Sequence, residues 1–118
     1  MVAIRGAITI DGNTIESIKQ NAVELVAEIV NANSIQTADI ISMQFSVTAD
    51  ITKASPAKFI REEMGLASIA YFTTNEAKID NDLPFCIRVL VLVNNNKLTQ
   101  GDIKHIYLKG AKKLRSDI

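Results

Sequence analysis

Cys86-Ile87-Arg88-Val89-Leu90-Val91-Leu92-Val93 is the stretch that decides the fold, because its β-branched and leucine residues predict a strand buried on both faces. One arginine, Arg88, lies inside this apolar run. A guanidinium keeps its charge in proteins, and burying it without a partner is costly. An anion must therefore meet Arg88, and that anion is either a carboxylate of the protein or a bound ligand.

The N-terminal segment repeats this arrangement. Residues Val2–Ile10 alternate as expected for a strand, and Arg5 lies among small and apolar neighbours. Two fixed cations on two apolar strands predict a small pocket for an anion. The alternative is that both arginines form salt bridges at a sheet edge or a subunit contact.

The remaining segments predict two helices and three more strands. Asn13 is the expected N-cap of the first helix, and Ser55-Pro56 opens the second, because serine favours the N-cap and proline the first helical position. The predicted helices are Ile15–Asn31 and Ala57–Met64, the strands are Ile40–Thr48, Ser68–Phe72 and Ile103–Leu114, and Thr73–Glu76 is a polar loop. Within the second strand, one face is expected to carry Ile41, Met43, Phe45 and Val47.

This order of elements, β-α-β-α-β-β-β, predicts an α+β fold in a single domain of residues 1–118. The helices are expected on one face of a mixed β-sheet. Self-association into a closed ring would cover the other face and the sheet edges.

Composition excludes several classes of function. Thirteen basic and thirteen acidic residues cancel, so no overall field attracts nucleic acid or a membrane surface. The single cysteine, Cys86, rules out an internal disulfide and a cysteine-based metal cluster. The sequence shows neither a signal peptide nor an apolar run of membrane-spanning length, so we expect a cytoplasmic protein without nucleic-acid or membrane partners.

The residues able to do chemistry are few. The lone His105 is best explained as a surface or hydrogen-bonded strand histidine, and too few candidate ligands are present for a metal site. What remains is the arginines, Glu76, Tyr107 and several loop hydroxyls. Such a set suits a reaction that needs positioning and electrostatic stabilisation, without a nucleophile or a proton shuttle.

Four motifs, taken together and in order, resemble the monofunctional chorismate mutases of the Bacillus type. The resemblance covers nearly the whole chain with compatible spacing. The motifs are Ile4-Arg5-Gly6-Ala7, Ser55-Pro56-Ala57-Lys58 with Arg61-Glu62, Glu76 ahead of Cys86-Ile87-Arg88-Val89, and His105-Ile106-Tyr107-Leu108 leading to Leu114-Arg115.

The resemblance implies an activity and an assembly. Members of this family convert chorismate to prephenate by a Claisen rearrangement, on the branch to phenylalanine and tyrosine, without a cofactor or a metal. It implies a homotrimer whose sheets form a central barrel-like core, with active sites in clefts between subunits.

The resemblance also implies a role for each site residue. Arg88 would contact the ether oxygen and a carboxylate of the substrate, Arg5 and Tyr107 would hold carboxylate oxygens, and Glu76 would accept a hydrogen bond from the ring hydroxyl. The pocket would be lined by Phe72, Thr73, Thr74 and Asn75, and its rim would carry Ala57, Lys58, Arg61, Leu114 and Arg115.

Two positions depart from the family pattern. Thr73 stands where the best-known member of the family has a cysteine beside the ring hydroxyl, and the threonine hydroxyl can replace that hydrogen bond. Ser55 replaces an aromatic residue that would wall the pocket, so we expect a looser or wetter cleft.

Two other functions are compatible with an interfacial arginine. One is an imine/enamine deaminase of the RidA type on a similar trimeric scaffold. The other is a non-catalytic trimer that binds a small dicarboxylate as a sensor. The polar residues of Thr73–Glu76 and Tyr107 favour the mutase.

Overall fold

The computed structural model describes residues 1–114, and within them one five-stranded mixed sheet carries two α-helices. The strands are β1 (Val2–Thr9), β2 (Ile40–Val47), β3 (Ala70–Asn75), β4 (Cys86–Val93) and β5 (Ile106–Leu108). The helices are α1 (Ile15–Ala32) and α2 (Pro56–Glu63), with 3₁₀ turns at Thr37–Asp39, Gln100–Asp102 and Lys109–Leu114. The predicted α+β class and element order are confirmed.

The sheet order is β3-β2-β4-β1-β5. The apolar strand β4 is central and pairs antiparallel with β1 and β2, whereas β3 and β5 pair parallel with β2 and β1 at the two edges. Within residues 1–114 the sheet is therefore open at both edges. The barrel-like core implied by the family resemblance would need further copies and stays a prediction.

Helix α1 begins at Ile15 as predicted, but its N-cap lies one residue later than predicted. Thr14 is the N-cap, and its Oγ1 accepts a hydrogen bond from the backbone N–H of Ser17 at 3.1 Å. Asn13 was the wrong choice, because its side chain is used elsewhere: its Oδ1 accepts from the N–H groups of Thr52 and Lys53 at 2.9 and 3.1 Å. Asn13 therefore ties the start of the helix to the segment before α2.

One face of the sheet is covered by the helices. Helix α1 packs on β1 and on α2, and α2 packs on β3. The apolar side chains of α1 that face the sheet are buried, namely Ile18, Ala22, Leu25, Val26 and Ile29, whereas Ile15 at its start is 57% exposed. Gly6 lets the helix come close, because a Cβ there would lie 2.7 Å from Cδ1 of Ile29 and 3.1 Å from Cδ1 of Leu25.

The other face of the sheet is only partly covered by residues 1–114. Ala7 and Cys86 are buried there against Ala111, but the rest of this face is open. On this open face Arg5 lies opposite Leu90, and Ala7 lies opposite Arg88. Leu90 is 42% exposed and Phe72, on the same face of β3, is 63% exposed. The expectation that β4 is buried on both sides is thus met along the helix face, and on the other face only at Cys86.

The prediction that Ile41 shares the buried face of β2 is wrong. A shift in the pairing of β2 with β4 falls between Ile40 and Ser42. It turns Ile40 into the core and leaves Ile41 40% exposed, whereas Met43, Phe45 and Val47 are buried as expected. An extra residue in a strand reverses the facing of everything on one side of it.

Two further boundaries differ from the prediction. Residues 73–75, predicted as loop, extend β3 because Thr73 and Asn75 pair with Phe45 and Val47 of β2. The last strand, predicted to reach Leu114, ends at Leu108: Lys109 has a φ of 55°, and the N–H of Gly110 then donates to Thr9 Oγ1 at 2.9 Å.

The second helix lies within one residue of its prediction. It runs Pro56–Glu63, with Ser55 as N-cap and proline at its start, and Gly65 follows with a φ of 68°. Glycine adopts this left-handed conformation without the steric cost that a side chain would add. Among residues 1–114, neither helix combines the length and the apolar character that a membrane crossing requires.

Candidate active site

Arg5 and Arg88, the two arginines predicted to bind an anion, lie on the open face of the sheet. Arg88 forms an ion pair with a carboxylate of the same chain. Its Nε lies 2.9 Å from Oε1 of Glu76, which follows the end of β3. Both atoms are inaccessible to solvent, yet the N–H is not aligned with the oxygen as in a hydrogen bond. The contact is therefore an ion pair that fixes Arg88 from one side of its guanidinium.

The backbone around this pair is held by hydrogen bonds. The N–H of Glu76 donates to the carbonyl of Val47 at 2.7 Å, which keeps Glu76 beside β2. Phe85, the residue immediately before β4, has a φ of 48°, which is unusual for a bulky residue. Its N–H donates to both carboxylate oxygens of Asp50 at 3.0 and 3.2 Å. These hydrogen bonds fix the start of β4 and therefore the position of Arg88 on that strand.

A network of side chains supports Asp50. Its Oδ1 accepts from the hydroxyl of Thr48 at 2.5 Å, and Thr48 Oγ1 accepts from the N–H of Cys86 at 3.0 Å. Neither Thr48 nor Asp50 was predicted from the sequence as a supporting residue. Their signal was weak, because a polar pair after a strand is common in turns that have only a structural role.

Arg5, Arg88 and Tyr107 come together around one cavity of about 320 Å³. Their meeting follows from strand register: Ala7 pairs with Arg88 on one side and with Tyr107 on the other. The small side chain of Ala7 leaves space between the two larger residues. Leu114 also lines this cavity, and its predicted place at the rim of the substrate pocket stays a prediction.

The side chain of Arg5 makes no ion pair with residues 1–114. Its position is set through the backbone, since its N–H donates to Nδ1 of His105 at 2.9 Å. A guanidinium held on a strand without a carboxylate partner in this part of the chain is available to an anion in the cavity.

A second cavity of about 370 Å³ lies on the other side of the ion pair. Its walls include Glu76, Asp50 and residues 77–84, the loop between β3 and β4. Arg88 and Asp82 line both cavities. The two spaces therefore meet at the ion-paired arginine.

Other predicted site residues are not brought to the arginines within one chain. None of the residues from the α2 and β3 predictions lines either cavity, and this group comprises Ala57, Lys58, Arg61, Phe72, Thr73, Thr74 and Asn75. Ala57 is a buried residue of α2, and the Arg61 guanidinium lies 5.9 Å from the ring of Tyr71. Arg115 lies outside the described residues.

Burial sets the protonation of the neighbouring thiol. Loss of solvent raises the pKa of Cys86, and the nearby Arg88 opposes this increase. The thiol is therefore neutral beside the arginine at neutral pH. Among residues 1–114 there is no group of three or more histidine, cysteine, aspartate or glutamate side chains able to hold a metal ion.

Comparisons with known proteins decide the family. The type I chorismate mutase family matches residues 1–118. The chain belongs to this family. Chorismate mutase AroH of Thermus thermophilus is 37% identical over 116 residues, which are 98% of this chain and 93% of that protein. The Bacillus subtilis enzyme of the same name is 33% identical over 115 residues, which are 98% of this chain and 90% of that protein.

A solved structure supports the same family. It is a chorismate mutase from Clostridium thermocellum that superposes with a TM-score of 0.90 at 41% identity, covering 94% of this chain and 97% of that one. The likeness of fold therefore extends over nearly the whole sheet and both helices. The resemblance stated from the motifs is confirmed.

The two departures from the chorismate mutase pattern contact each other. Oγ of Ser55 and Oγ1 of Thr73 lie 2.8 Å apart and form a hydrogen bond between the start of α2 and β3. Ser55 consequently does not use its side chain to cap its own helix. The two substitutions act as one polar pair, which the sequence showed only as separate differences.

Proposed function

We propose that this protein is a chorismate mutase, an isomerase that converts chorismate to prephenate in aromatic amino acid biosynthesis. The observation that carries the proposal is the convergence of Arg5, Arg88 and Tyr107 on one cavity in a chain of the type I family. Family membership favours this activity over the deaminase and the non-catalytic sensor. We further propose that residues 1–118 act as one domain located in the cytoplasm.

Electrostatic stabilisation by Arg88 is the central element of the mechanism. In the Claisen rearrangement the C–O bond breaks ahead of full C–C bonding, so negative charge develops on the ether oxygen. Because Glu76 holds Nε, the two terminal nitrogens of the guanidinium are left to donate to the substrate. A donor already fixed in place stabilises the developing charge without reorganising during the reaction.

The other residues of the cavity position the substrate. Arg5 and Tyr107 hold carboxylate oxygens, which keeps the enolpyruvyl arm over the ring in a reactive geometry. Glu76 accepts a hydrogen bond from the ring hydroxyl while it remains paired with Arg88. No step transfers a proton, and the mechanism uses no cofactor.

We propose that the active form is a homotrimer with its sites between subunits. The open face of the sheet leaves Phe72 and Leu90 exposed, and a second copy would cover them. Lys58 and Arg61 lie away from the arginine cavity of their own chain, so they can contribute to a cavity only on a neighbouring copy. This arrangement explains why one chain carries all the predicted residues but assembles only part of them.

Purified protein incubated with chorismate tests the proposal. We expect loss of the chorismate diene absorbance together with the appearance of prephenate, at a rate well above the spontaneous reaction. Light scattering on the same sample should give three times the chain mass. Absence of turnover in a correctly assembled trimer would refute the activity, and a stable, active monomer would refute the shared site.

A further inference from the structure

The loop between β3 and β4 places a carboxylate at the junction of the two cavities. The N–H of Asp82 donates to the carbonyl of Ile79 at 3.2 Å, which closes a tight turn. Asn81, inside this turn, has a φ of 69°, a conformation that asparagine tolerates better than most residues. The turn brings Asp82 to the wall of the cavity that contains Arg5 and Arg88.

The charge of Asp82 is not neutralised by residues 1–114. Its carboxylate makes no ion pair within 4.0 Å in that part of the chain, and no side-chain hydrogen bond there either. Glu76 differs, because its charge is compensated by Arg88 at 2.9 Å. Asp82 is thus a negative charge that lines an anion cavity without pairing with the arginines that define it.

We propose that Asp82 lowers the affinity of this site for dianions, because its negative charge repels the dicarboxylate substrate and product. This inference rests on the proposed function. A like charge at the cavity wall acts on the ground state and on the transition state alike, so it raises KM and leaves kcat largely unchanged. The same repulsion speeds release of the dianionic product.

Neutral variants of Asp82 test the inference. Asp82→Asn and Asp82→Ser should each lower KM for chorismate and the Ki of prephenate by about 3- to 10-fold, the effect of one partly exposed like charge. Their kcat should stay within about twofold of the parent. At about 1 M salt, where the Debye length is ~3 Å, most of the difference should disappear.

Asp80→Asn is the matched control. Asp80 lies on the same loop and is also exposed, but it lines only the second cavity. It should therefore change KM less than Asp82→Asn at low salt. An equal change of KM in both variants would show that KM responds to the overall negative charge of the loop. That result would overturn the specific role of Asp82.

Three other results would also overturn the inference. They are an unchanged KM in both Asp82 variants, a raised KM, which would identify Asp82 as a binding contact, and an effect insensitive to salt. Calorimetric titration of prephenate into parent and variants reads affinity without turnover. A parent protein that fails to convert chorismate would instead count against the proposed function, so the two failures are distinguishable.

Discussion

Replacing Gly6 by alanine tests how closely helix α1 must approach β1. An added Cβ would lie 2.7 Å from Cδ1 of Ile29, 3.1 Å from Cδ1 of Leu25 and 3.3 Å from the carbonyl oxygen of Ile106. Ile29 and Leu25 are fully buried and have no solvent to move into. Overpacking of this kind costs about 1–3 kcal/mol, and the lower chain entropy of unfolded alanine offsets about 0.4–1 kcal/mol of it.

We therefore expect Gly6→Ala to lower the free energy of unfolding by about 1–2 kcal/mol. Denaturant titration at one fixed chain concentration measures the change, because assembly makes stability depend on concentration. Gly12→Ala is the control, since nothing lies within 4 Å of a Cβ there. Gly6→Ala should also raise KM, because Gly6 adjoins Arg5. Equal stability of the Gly6 and Gly12 variants would refute the packing argument.

The remaining predictions concern the site and its pH dependence. Glu76→Gln should lower kcat less than Glu76→Ala, because the amide oxygen still accepts the ring hydroxyl's hydrogen bond; steady-state kinetics showing equal losses would contradict this. Ser55→Ala and Thr73→Ala should be non-additive in KM, since each removes the same 2.8 Å hydrogen bond, and a double variant with additive losses would argue against a polar pair. Burial raises the pKa of Cys86, so its contribution to stability is complete below the ordinary thiol pKa and is lost as the pH rises through the raised one. Denaturation midpoints should therefore fall at alkaline pH, and they should fall less in Cys86→Ala than in the parent protein. Identical alkaline profiles of the two proteins would refute this contribution of Cys86. The kcat should be flat around neutral pH, because no proton is transferred, and a limb near the histidine pKa would contradict the mechanism.

The central strand and its arginine were predictable because burial and charge conflict there. An apolar run with one guanidinium has few explanations, and the structure shows one of those offered: Arg88 is paired with the Glu76 carboxylate. Arg88 also lines a cavity, and an anion bound there stays a prediction. The helices were predictable to within a few residues from their periodicity and from the Ser55-Pro56 start.

What the sequence left open depends on tertiary contacts. The extension of β3 is fixed by pairing with β2, and the end of β5 is fixed by the bond from Gly110 to Thr9. Asp50 and Asp82 are ordinary turn residues by pattern. Their roles emerge only when the loops bring one under Phe85 and the other to the cavity wall.

Arg88→Ala, measured as kcat and KM on a trimer shown to be folded, tests the central claim most directly. Losing one preorganised donor costs about 10²–10³ in rate, and the charge of Arg88 predicts at least that loss, with a smaller change in KM. Arg88→Lys should recover only part, because an ammonium lacks the fork of donors. As a comparison, Arg61→Ala should mostly raise KM, and more strongly at low salt. A folded Arg88→Ala trimer whose kcat stays within a few-fold of the parent would show that this arginine is structural, and the electrostatic mechanism would be wrong.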